Sequence, residues 1–157
     1  PEVARREGRM SDTLRVRALQ LLARREHARA ELARKLAPHA ESEEALSALL
    51  DRLQSERLLS DARYAEARVH TRGARYGNAR LAQELRIQGV GDADVDAALD
   101  GLDDELTRAR QVWERKFGAT GLPNDATERA RQTRFLLGRG FSGTIIRRIL
   151  RGNFEDE

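Results

Sequence analysis

The 157-residue chain has no cysteine, lysine only at Lys35 and Lys116, three prolines, and an aromatic complement of one Trp, two Tyr and four Phe. Without cysteine there is no disulfide framework, no thiolate zinc site and no cysteine nucleophile, as suits a reducing compartment. So few aromatic residues, most at core-like spacings, argue against single-strand binding through rows of stacked bases. No run of about 18 apolar residues occurs, and "PEVARREGRMSD" is charged where a secretory leader needs an apolar stretch. A soluble, cytoplasmic chain without a membrane partner is expected.

Catalytic signals are equally scarce. "GRGFSG" (138–143) has the spacing G-x-G-x-x-G but follows a helical pattern rather than a strand, so it reads as a loop. His27, His39 and His70 are scattered, and the one helical pair, Glu66 with His70, lacks a second set of ligands. Neither a P-loop nor a G-x-S-x-G elbow is present. No catalytic residue, metal or cofactor is assigned, and the chain reads as a non-enzyme.

What is abundant is helical periodicity. Leu14, Ala18, Leu21 and Leu22 share one face; "ARAELARKL" (28–36) is a shorter helix; Leu46, Leu49, Leu50 and Leu53 form a stripe behind a Ser42 cap. Further helices are predicted from Asp61 to about Arg72, from Asn78 to Gln88, and over "GVGDADVDAAL" (89–99). A stripe of Leu102, Leu106, Ala109, Trp113 and Phe117 follows, then a helix opened by Asp125 with Glu128 as a capping box, and a last one over 143–151. No segment alternates with period two, so the class is all-α.

An offset of 51 residues lays "ELRIQGVGDADVDAAL" (84–99) over "FLLGRGFSGTIIRRIL" (135–150), pairing Leu85 with Leu136, Gly89 with Gly140, Val90 with Phe141, Val95 with Ile146 and Leu99 with Leu150. A weaker third copy begins at "ELARKL" (31–36). The expected architecture is three tandem three-helix, helix-turn-helix-like repeats over 13–56, 57–102 and 103–157, after an extension without fixed structure at 1–12.

Charge differs between copies whose apolar frame agrees. Residues 92–105 hold seven acids and no base, whereas 129–151 hold seven arginines and no acid, in a chain of formal net charge +3. Phosphates would repel the acidic third helix of repeat two and the net-negative "SEEALSALLDRLQ" of repeat one. Candidate DNA or filament contacts are Arg72, Arg75, Arg80 and Arg86 in the middle, and Arg129, Arg131, Arg134, Arg139, Arg147, Arg148 and Arg151 at the end. Asp92, Asp94, Asp96 and Asp100 are the candidate acidic patch for a protein partner. A helix-turn-helix transcription regulator and a passive helical adaptor remain as competing classes.

Three blocks, "LQLLARREHARAELARKL", "LLSDARYAEARVHTRGARYGNARLAQELRIQGV" and "RFLLGRGFSGTIIRRIL", resemble the signature blocks of the RecX family, bacterial regulators of the RecA recombinase. Asp61, Tyr64, Ala65, Tyr76, Gly77, Leu85, Gly89, Gly140 and Phe141 carry the resemblance. It implies an elongated, curved, non-catalytic molecule that lies in the groove of the RecA filament on single-stranded DNA and damps its extension, ATP hydrolysis, strand exchange and co-protease activity. A monomer that binds bare single-stranded DNA only weakly and without sequence preference is expected.

Overall fold

Ser42, Ser60, Asp125 and Ser142 each stand in extended backbone and accept a hydrogen bond from the N–H three residues on, at Ala45, Arg63, Glu128 and Ile145. Such a cap satisfies a donor that the first helical turn leaves without a partner. Glu128, the other half of the expected capping box, turns to Arg131 and Gln132 instead. In the computed structural model, which describes residues 2–152, these caps open four of nine α-helices: α1 (Glu2–Arg24), α2 (Arg29–Leu36), α3 (Glu43–Ser55), α4 (Asp61–Arg72), α5 (Asn78–Ile87), α6 (Asp92–Asp100), α7 (Glu105–Phe117), α8 (Ala126–Gly138) and α9 (Gly143–Leu150). A short 3-10 turn, Ala37–His39, follows α2, and the described residues contain no strand.

Two expectations change. The extension at 1–12 is helical from Glu2, in keeping with the helix-favouring Glu, Ala and Arg residues that make up most of it. Leu102 does not extend the α7 stripe: Gly101 closes α6, α7 begins at Glu105, and Leu102 packs on the preceding core. Pro1 and 153–157, included in the first and last expected segments, lie outside the described residues.

Three apolar clusters follow the three helix triplets, with two crossings between the first and the second: Leu59 packs into the first cluster and Ala28 into the second. Leu14, Ala18, Leu32, Leu36, Leu46, Leu50, Leu53 and Leu59 form the first. Tyr64, Ala65, Val69, Leu81, Leu85, Val90 and Val95 lead the second, and Leu106, Trp113, Phe117, Leu136, Phe141, Ile146 and Ile149 the third. The repeat pairs fall in step: Leu85, Leu136 and Val95 are fully buried, Ile146 nearly so, and Gly89 and Gly140 both take positive φ, +84° and +92°. The total surface, 10060 Å², exceeds the roughly 8,000 Å² of a compact monomer of this mass, consistent with cores set side by side rather than merged.

Neighbouring triplets meet at two seams built alike. At the first, the backbone N–H of Arg29, opening α2, donates to Asp61, opening α4, at 2.7 Å. At the second, the N–H of Asn78, opening α5, donates to Glu105, opening α7, at 3.3 Å. Each carboxylate therefore sits at two helix N-termini, where the macrodipoles favour negative charge. Gly89 and Gly140 occupy the corresponding turns: a Cβ on Gly89 would lie 2.8 Å from the Ala30 Cβ, and one on Gly140 would lie 2.3 Å from the Arg80 Cβ. Gly77 brings backbone directly onto backbone, its N–H donating to the Arg139 carbonyl at 2.7 Å. No helix among the described residues is long and apolar enough to cross a membrane.

Candidate nucleic-acid and partner surface

The sequence "GARYGN" (73–78) spans the turn between α4 and α5 and the first residue of α5, and the second seam closes around it. Arg108 is buried and donates to the carbonyls of Gly73, Tyr76 and Asp103, at 3.0, 2.8 and 3.0 Å, and to the Asn78 side chain. Burial draws its pKa downward, against the pull of Glu105, Asp103 and Asp104. A buried guanidinium is tolerable here because its fork is filled by carbonyls that the α4 C-terminus and the turn would otherwise leave without donors. Arg115 extends the same grip to the Ala74 carbonyl.

Tyr76 packs beneath three guanidinium groups, Arg72 at 4.4 Å, Arg80 at 4.1 Å and Arg139 at 5.3 Å from the ring centre. The protein's own cations thus occupy the ring. Arg72 is further committed by a two-pronged contact with Glu84, at 2.8 and 2.7 Å, and Arg80 and Arg68 lie 3.5 and 3.9 Å from the same carboxylate. Burial pushes the Glu84 carboxyl up, but the Arg72 hydrogen bonds and the surrounding arginines outweigh it and hold it below the usual glutamate value. Arg80 also donates to the Gly138 carbonyl across the seam, at 3.0 Å.

The structure therefore brings Arg72, Arg75, Arg80 and Arg139 together, but in two states: Arg72 and Arg80 share the Glu84 carboxylate, and Arg75 and Arg139 have no carboxylate partner among the described residues. Arg75 and Arg139 line a depression of about 300 Å³ together with Val112, Arg115, Lys116 and Phe135. Arg86 stands apart, paired with Asp92 at 3.1 Å on an open surface where such a contact is worth little. On α8, Arg129 and Arg134 are exposed, while Arg131 reaches Glu128 at 3.1 Å and lies 5.3 Å from the Phe117 ring. On and after α9, Arg147 and Arg151 are exposed and Arg148 is half-buried.

Of the acidic candidates, Asp92, Asp96 and Asp100 are exposed. Asp94 is half-buried and borders a groove of about 730 Å³ between α4 and α6, with Glu26, Arg63, Glu66 and His70 on its walls and Ala62, Ala67, Ala97, Ala98 and Gly101 among its small residues. No group of three metal-ligating side chains assembles among the described residues. Sequence reasoning passed over Arg108, Arg115 and Lys116. Arg108 had a legible signal, standing four residues before buried Val112 and next to buried Ala109.

The second and third three-helix domains of RecX, as family models, match residues 60–99 and 103–150. A regulatory protein RecX of Ralstonia nicotianae is 52% identical over 143 residues, covering 89% of this chain and 87% of that protein. The chain belongs to the RecX family. Its relatives include a regulatory protein RecX of Leptothrix cholodnii, 51% identical over 140 residues and covering 88% of each chain. The crystal structure of RecX from Lactobacillus salivarius has the same fold with a TM-score of 0.81 at 22% identity, over 93% of this chain and 97% of that one. In the family's terms, the seam around "GARYGN" joins the second three-helix domain to the third.

Proposed function

We propose that this RecX chain is a non-enzymatic inhibitor of the RecA recombinase, lying along the groove of the RecA filament on single-stranded DNA and damping its extension, ATP hydrolysis, strand exchange and co-protease activity. The observation that supports this reading is the segregation of charge on one repeating frame: arginines at the second seam and in the last triplet, acids on α6. Phosphates attract the first set and repel the second, so a partner presenting both nucleic acid and basic protein surface engages the whole molecule. In this reading Arg75, Arg129, Arg134, Arg139, Arg147, Arg148 and Arg151 face the filament's phosphates or acidic surface, with Arg72, Arg80, Arg86 and Arg131 adding field. Asp92, Asp94, Asp96 and Asp100 face the recombinase. The chain acts as a monomer and needs no cofactor.

The deciding experiment is ATP turnover by RecA filaments with and without the purified chain. Turnover falls with added chain if the reading holds; turnover unchanged at saturating chain overturns it. The Arg147→Glu, Arg151→Glu double variant should keep its helix content, since both positions are exposed, and lose much of the effect.

A further inference from the structure

The depression at the second seam collects like charges without an opposing one. Four cations border it from three segments: Arg75 in the α4–α5 turn, Arg115 and Lys116 in the last turn of α7, and Arg139 after α8. Val112 and Phe135 complete the lining, which contains no carboxylate. The cations are held by other means: Arg115 donates to the Ala74 carbonyl, the Arg139 guanidinium lies 5.1 Å from the Phe135 ring, and the Lys116 ammonium lies 5.5 Å from it. Arg75 is exposed, with no ion pair among the described residues. A short distance away Glu84 gathers Arg68, Arg72 and Arg80, so the missing carboxylate is local to the depression.

Cations converging on a concave surface raise the free energy of the empty protein through mutual repulsion, and an anion seated among them reverses the sign of that contribution. Arginine forks suit the tetrahedral oxygens of phosphate. The Tyr76 ring is already covered by guanidinium groups and Phe135 by Phe117, Lys116 and Arg139, so among the described residues the depression offers no open ring to stack a base. We propose that the depression bounded by Arg75, Arg115, Lys116 and Arg139 is a phosphate site that takes a phosphodiester of a nucleic-acid strand without reading its sequence. The proposal rests on the filament reading above and identifies which part of the molecule grips the strand. Because the cations come from both triplets, the seated phosphate also ties the second triplet to the third.

The test uses the full chain, the Arg75→Gln, Lys116→Gln double variant, and an Arg17→Gln, Arg24→Gln control of equal charge loss on exposed α1 positions. Each is titrated with labelled oligothymidine at several salt concentrations. The pocket variant should bind several-fold more weakly, with a log–log salt slope shallower by about 0.7, the contribution of one single-strand phosphate. The control should keep the wild-type slope, and all three should share one thermal midpoint. Identical slopes for the two variants overturn the proposal. So does competition by ATP or inorganic phosphate at a site to which oligothymidine is indifferent, which assigns the pocket to a free phosphate compound instead. ATP turnover by RecA filaments, measured on the same proteins, separates the two levels. A wild-type chain without effect on turnover removes the filament reading but not the pocket; an unchanged oligothymidine slope with turnover still inhibited removes the pocket alone.

Discussion

His27 carries its proton on Nδ1. That nitrogen lies 3.0 Å from the Arg25 carbonyl and Nε2 lies 3.0 Å from the Lys35 ammonium, which can only donate, so Nε2 accepts and the ring is neutral. Burial, followed by the charges of Arg25 and Lys35, holds its pKa below the ordinary histidine value, although the Arg25 carbonyl and Glu31 pull the other way. A depressed histidine favours the folded state while neutral: its contribution is complete above the unfolded value of about 6.5 and is lost as pH falls below it. The thermal midpoint should therefore drop between about pH 7 and pH 5, and His27→Gln should flatten that interval. An equal drop in the variant would assign the effect to groups other than His27. Arg57 is a second residue under local constraint, with φ of 61° where a side chain crowds the backbone. Arg57→Gly should raise stability by about 1 kcal/mol in urea titrations, the ordinary relief for that conformation.

Among the elements, the helix starts are the joints. Removing the shared carboxylate by Asp61→Ala or Glu105→Ala should cost on the order of 1–2 kcal/mol each, read from urea midpoints, as for other lost helix-start acceptors. The larger loss is expected at Asp61, whose bond is the shorter, 2.7 against 3.3 Å. Two variants indistinguishable from wild type would mean that apolar contact alone closes the seams. Leu85→Ala and Leu136→Ala should each cost about 2–5 kcal/mol, the range for large-to-small changes in a packed core. Helix class, the Ser42 and Asp125 starts and the Leu85/Leu136 frame were legible in sequence because periodicity and capping are local. The seams were not, because nothing local marks Glu105, inside an acidic run, as a partner of Asn78. For the same reason the arginine list did not separate Arg72, committed to Glu84, from Arg75, which is not: that division depends on residues brought together by packing.

Across the whole molecule, acids and arginines alternate in blocks, so binding should depend on what the partner presents rather than on nucleic acid alone. We expect weak, sequence-indifferent binding to bare single- or double-stranded DNA and markedly tighter binding to a preformed RecA filament, with both weakening as salt rises. Labelled chain titrated against each at several salt concentrations checks this; equal affinity for naked DNA and filament, or strong preference for one duplex sequence, would contradict it. The two seams bear on that match in a way that charge does not. Since helix starts and glycine turns meet there directly, with Gly77 against Gly140 at the second, each triplet is seated on the next backbone against backbone, with no room for a side chain between them. A slight error at one mounting is magnified along the triplet that follows. An added methyl at Gly77 or Gly140 would thus press on the backbone or on Arg80 across the second seam and should shift the third triplet against the second while each keeps its own core.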